Sequence, residues 1–236
     1  HKAEYILSLY KSTQSSGIYG VNGKSNYTLN AECSGWDTTE DLIVNFQLQD
    51  NVESQLISKW TTFETFSGLS YQFDLTEKIN NQQNSNFFGF ANISTKDQKA
   101  VYISDKEYSI SLDAEIEFPI MQLKNIINAA KQNKKIYNSN IFLGSELLDS
   151  FHVVSAIIGP LTTNENNNFE SALIQNGYWP VNLAYYKPNI ELDQPEYTIS
   201  AKLQENGVIL EYIIDYGDFS IISSLKKISS VNKNIC

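Results

Sequence analysis

Apolar and polar residues alternate along most of this chain. In AEYILSLYK, residues Ala3, Tyr5, Leu7 and Leu9 fall on one side. In NYTLNAEC the same holds for Tyr27, Leu29, Ala31 and Cys33, and in DLIVNFQLQ for Leu42, Val44, Phe46 and Leu48. A period of two sends successive side chains to opposite faces of an extended chain, so each run reads as a strand with one buried face. The pattern predicts further strands at 55–64, 69–75, 86–94, 99–104, 107–113, 136–143, 151–159, 181–187, 195–204, 207–216 and 219–228. Turn residues separate them: Gly20 and Asn22-Gly23, Ser67-Gly68, Glu205-Asn206-Gly207 and Tyr216-Gly217. Asn206-Gly207 between two alternating runs predicts a type I′ hairpin tip.

One segment has a different period. In FPIMQLKNIINAAKQNKK, Leu123, Ile126, Ile127 and Ala130 share a helical face, Pro119 stands near the start and Lys134-Lys135 near the end. Proline costs nothing in the first turn, where its missing N–H has no partner, and lysine suits the negative end of the helix dipole. NNFESALIQNG, residues 167–177, reads as a second, weaker helix stopped by Gly177. Strands flank the first helix on both sides, so a domain boundary there would divide the sheet. The expected fold is mainly β: one domain over 1–236, with an antiparallel, strongly curved spiral or broken barrel of at least ten strands and one or two helices.

Charge narrows the function classes. The chain has 236 residues and a formal net charge of −10, which repels phosphate backbones and argues against nucleic acid as a partner. All 17 basic residues are lysines, so bidentate guanidinium recognition is excluded. No run approaches the roughly 20 apolar residues of a membrane-spanning helix. The start at His1 without Met fits removal of a signal peptide, or a shortened chain.

Candidate chemistry is sparse. The two histidines are His1 and His152; Ser150 and Ser155 flank the latter, but no nucleophile-elbow motif is present. Asp215 and Asp218 bracket Tyr216-Gly217, where turn chemistry explains them better than a carboxylate pair, so no catalytic residue is assigned. The two cysteines have too few companion ligands for a zinc site, and no metal or other cofactor is expected. Cys33 and the terminal Cys236 suggest either a bridge pinning the tail or two unrelated thiols. Aromatic residues gather between Trp60 and Phe90. They read as core or, because curved sheets of this size can leave an interior unfilled, as a cavity lining; Phe46, Trp60, Phe73 and Phe88 are its candidates.

The segments HKAEYILSLYKS (1–12), AECSGW (31–36), FPIMQLKNIINAAKQNKKIYNSNIFLGSE (118–146) and WPVNLAYYKPNIELDQPEYTISAKLQENGVILEYIIDYGDFSIISSLKKI (179–228) resemble, in order, those of the EipB family of alphaproteobacterial periplasmic proteins. The resemblance spans nearly the whole chain. It implies a periplasmic, non-enzymatic protein of cell-envelope integrity, with an amphipathic interior suited to a lipid-like ligand. It also implies a disulfide between Cys33 and Cys236. Envelope or peptidoglycan-maintenance proteins are the expected partners. A periplasmic carrier of lipid or lipoprotein is the alternative, with a carboxylate-dependent hydrolase behind it.

Overall fold

In the computed structural model the described residues are 1–94, 98–146, 150–163, 171–188 and 194–231. Eight strands follow one another as a meander: β1 (Lys2–Ser12), β2 (Ile18–Ala31), β3 (Gly35–Leu48), β4 (Glu53–Thr65), β5 (Ser70–Ile79), β6 (Gln82–Asn92), β7 (Lys99–Ile103) and β8 (Glu107–Ser111). After β9 (Ile116–Glu117) comes a single helix, α1 (Pro119–Lys131). Then follow β10 (Ile136–Phe142), β11 (Phe151–Ile158), β12 (Thr162–Thr163), β13 (Gly177–Tyr186), β14 (Tyr197–Leu203), β15 (Ile209–Asp215) and β16 (Phe219–Ser229).

All sixteen strands belong to one sheet. β1 sits in the middle, pairing with β2 on one side and β16 on the other, and the order then runs back through β15, β14, β13, β11 and β10 to β9. Only the β9–β10 pairing is parallel. The two outermost strands, β8 and β9, are joined by residues 112–115 alone. Five chain steps reach at most about 18 Å. The sheet therefore curls until its edges nearly meet, without closing; strand twist supplies the curl.

Three contacts bridge the curl. Tyr5 donates its hydroxyl to the Ile209 carbonyl at 2.8 Å, and Tyr71 donates to the Leu143 carbonyl at 2.9 Å. The third is the seating of α1. Phe118 at its N-cap offers no side-chain acceptor. The buried Glu64 of β4 supplies one instead, accepting the backbone N–H groups of Ile120 at 2.8 Å and Met121 at 2.7 Å. A carboxylate at this end also meets the positive pole of the helix. At the other end Asn133 has φ 58°, with Lys134 N–H bonded to Ala129 O and Asn133 N–H to Ala130 O. This is a Schellman closure, which stops the helix before the lysines that mark its end in the sequence.

The hydrophobic faces form separate clusters inside the curl. One gathers Tyr5, Leu7, Val21, Val44, Leu210 and Leu225 around the central strands, with Phe46 packed against it. A second joins Ile126, Ala129 and Ala130 of α1 to Ala156, Val181 and Leu203. A third joins Ile141, Val154 and Tyr185, and the fourth is aromatic and described below.

Gly20 and Asn22-Gly23, read from the sequence as turns, lie inside β2, with Asn22 paired to Ser8 on one side and Asn45 on the other, because partners on both sides hold the chain extended there. Two further expectations need correction. Residues 171–176 form turns and irregular chain, not a helix, and Gly177 begins β13; residues 167–170 lie outside the described set. The second concerns the Asn206-Gly207 tip, where only Gly207 has positive φ (83°) and its N–H bonds Gln204 O. That is a type I turn with a glycine bulge, and the pairing register shifts beside it. The two-residue tip with positive φ at both positions is Asn80-Asn81, between β5 and β6.

Candidate functional site

Strand pairing fixes a rung of side chains across the inner face: Tyr27 opposite Glu40, Glu40 opposite Trp60, Trp60 opposite Leu75, and Leu75 opposite Phe87. The next rung is Ser25, Leu42, Ser58, Glu77 and Ser85. From Glu40 and Leu42 onward these residues form one wall of a cavity of about 1170 Å³. Facing them are Ser104 and Asp105 from the β7–β8 turn, Ser145 and Glu146 after β10, and Tyr216 from the β15–β16 turn. The cavity thus lies inside the curl, between β3–β6 and these turns. Its volume suits a ligand at the upper end of the small-molecule range.

The lining is mixed in character. Trp60, Leu75 and Phe87 are apolar, serine and amide groups border them, and Glu40, Asp74, Glu77, Asp105 and Glu146 bring carboxyls. Among the described residues no lysine lines it. Glu40 accepts a 2.6 Å hydrogen bond from Ser25 Oγ. Burial pushes its carboxyl above the usual range; the Ser25 bond pulls the other way and nearby Asp41 adds to the rise.

Beside the cavity, the same strands carry a dry cluster. Phe73 lies opposite Thr62 on one side and Gly89 on the other. It is 2% exposed, and the rings of Tyr71, Phe87, Tyr102 and Phe142 approach it at 5.0–6.3 Å. Gly89 makes the room: a Cβ there would stand 2.4 Å from the Phe73 ring. Gly144 covers the ring from the opposite side with φ +66°, and its Cβ would stand 2.7 Å away. Both positions need glycine for close approach.

The four aromatic candidates therefore separate. Trp60 lines the cavity. Phe88 reaches its rim, but strand alternation turns its side chain outward with Phe90, and both are close to half exposed. Phe73 is sealed in the dry cluster, and Phe46 packs on the central core. The sequence reading missed Glu40, Leu75, Phe87 and Tyr216. The alternation places Leu75 and Phe87 inside, but nothing local says what faces them. The signal for Phe73 was present, since Phe-Gly-Phe in β6 sets a glycine against it.

The other candidate chemistry is structural. Asp215 accepts the Gly217 N–H at 2.8 Å, and Asp218 takes the Ser15 hydroxyl at 3.3 Å while its carbonyl takes the Thr13 N–H at 2.8 Å. His152 is buried against Tyr185 and Tyr197, with Nε2 at 3.1 Å from Glu196. Among the described residues no group of three or more His, Cys, Asp or Glu is placed to hold a metal. No described cysteine is free. Cys33 lies in the β2–β3 turn and Cys236 outside the described residues. Among the described residues no helix is long and apolar enough to cross a membrane.

A family model described as EipB-like matches residues 1–232. The cell envelope integrity protein EipB of Brucella abortus (strain 2308) is 26% identical over 233 residues, covering 97% of this chain and 82% of that protein. A crystal structure of a β-barrel-like protein of a domain of unknown function, also from Brucella abortus, superposes with a TM-score of 0.88 at 25% identity. That match covers 96% of this chain and 95% of the other.

Proposed function

The chain belongs to the EipB-like family, and from that premise we propose that it supports cell-envelope integrity in the periplasm, by binding a lipid-like amphiphile in this cavity. The observation that carries this reading is the cavity itself: apolar Trp60, Leu75 and Phe87 lie beside polar and acidic groups in an opening large enough for such a ligand. The role is non-catalytic. The turn bonds of Asp215 and Asp218 support a structural role for both over the hydrolase reading. The alternative role, carriage of lipid or lipoprotein, uses the same cavity and draws on its size.

The experiment is native mass spectrometry of protein purified from its own periplasm, beside envelope-stress assays of cells lacking the gene. A retained amphiphile that is lost in a Leu75→Arg variant, with detergent sensitivity restored only by the wild-type gene, is the expected result. An empty protein, or deletion cells as resistant as the parent, would overturn the reading.

Periplasmic residence goes with a Cys33–Cys236 bridge, since disulfides persist in oxidising compartments. Closing almost the entire chain into one loop stabilises it by on the order of 5 kcal/mol in the chain-entropy model. Alkylation of the unreduced, unfolded protein should label neither cysteine, and Cys33→Ser should lower Tm. Two labelled thiols in periplasmic protein would remove the bridge.

A further inference from the structure

The cavity has a chemical bias. Glu40 and Trp60 are direct cross-strand partners, and both line it. The one hydrogen bond to the Glu40 carboxyl among the described residues comes from a neutral hydroxyl. None of the ion pairs found among those residues involves Glu40, Asp74, Glu77 or Asp105. Among the described residues that line it there is no lysine, although the chain has 17.

We propose that Glu40 and Trp60 form an ammonium subsite, so that the cavity selects amphiphiles with a positively charged amine head over those with an anionic head. The inference rests on the proposed amphiphile reading and specifies its ligand class. An ammonium group beside Trp60 meets the negative face of the indole and the carboxylate across the strand together, the combination that recognises alkylammonium ions. The alkyl chain then lies on Leu42, Leu75 and Phe87, which follow on the same two rungs. A carboxylate or phosphate head would meet Glu40 and Glu77 with no cation between them, and like charges in a partly desolvated site repel strongly. The raised Glu40 carboxyl fits the same picture, because a bound cation would relieve the cost of its burial.

The test is calorimetric titration of the intact chain with three twelve-carbon amphiphiles below their micelle concentrations: dodecyltrimethylammonium, dodecanoate and dodecyl maltoside. The ammonium compound should bind about tenfold tighter than dodecanoate, a gap of about 1.4 kcal/mol, and the preference should shrink as salt is raised. Glu40→Gln should abolish the preference, and a retained cooperative thermal transition reports that the variant is folded. Trp60→Leu should weaken the ammonium compound more than the other two. Maltoside binding with equal affinity for both charged compounds, or a preference untouched by Glu40→Gln, would overturn the subsite and leave the amphiphile reading standing. Binding of none of the three would overturn both.

Discussion

On β4 and β5 two neighbouring rungs face inward, one built on Thr62 and Phe73, the other on Trp60 and Leu75. The first is dry and filled, the second lines a water-accessible cavity. Their strands, alternation and aromatic content are alike. The difference stands across the interior. Opposite Phe73 are Phe142, Phe118 from the start of α1, and the Leu143–Gly144 backbone, held by the Tyr71 hydroxyl. Opposite Trp60, among the described residues, are the short turns carrying Asp105, Glu146 and Tyr216. A strand's inner face thus becomes core or binding surface according to what the curl brings over it.

The most direct way to break this comparison is truncation on each rung. Phe73→Ala leaves a cavity among four rings and should cost about 3–5 kcal/mol, whereas Trp60→Ala, already bordering open space, should cost less than about 2 kcal/mol. Urea unfolding measures both. Equal losses would mean that the Trp60 rung is packed as tightly as its neighbour.

The next effect concerns the helix that closes the dry side. Glu64 is almost fully buried, and burial pushes its carboxyl from 4.5 up to about 7, against the pull of the Ile120 and Met121 N–H groups. Between those two pH values the folded chain keeps a proton that the unfolded chain has lost. This contribution is therefore fully present below pH about 4.5 and is lost as pH rises through about 7, amounting to about 3 kcal/mol. Stability curves of wild type and Glu64→Gln across this range isolate it, because the Glu40 shift is common to both. A wild-type advantage that grows with pH would show the carboxylate stabilised by the helix end more than it is penalised by burial.

The smallest contrast is between two glycines of positive φ. Gly207 faces nothing nearer than Leu123 at 3.8 Å, so Gly207→Ala should cost only the conformational penalty of about 1 kcal/mol. Gly144→Ala adds a collision with the Phe73 ring and should cost about 2–3 kcal/mol. Thermal unfolding ranks them; equal shifts would mean that the Phe73 cluster yields easily.

Much of the architecture was legible in the chain. The period of two placed most strands within about four residues, because side-chain alternation is a local property of extended backbone, but it caught only the later parts of β2 and β3, whose first halves carry polar and glycine residues. The three- to four-residue spacing in 118–135 placed α1. The two-residue strands β9 and β12 are too short to carry a period. The end of α1 was misplaced because a lysine pair marks a dipole, whereas Asn133 in the left-handed conformation makes the stop. The turn at 204–208 was misassigned because Asn-Gly permits a type I′ tip without requiring one.

What the sequence could not decide was which inward residues would touch each other across the curl. Strand alternation names a face, but Glu64 meets the start of α1 across 56 positions and Tyr71 meets Leu143 across 72. Alternation, turn residues and one amphipathic stretch determined a curved antiparallel sheet with a helix, since each depends on neighbours within a few residues. Curvature summed over sixteen strands decided that Phe73 is sealed and that Trp60 and Glu40 border open space. Those outcomes depend on contacts between segments far apart in the chain, which no local pattern encodes.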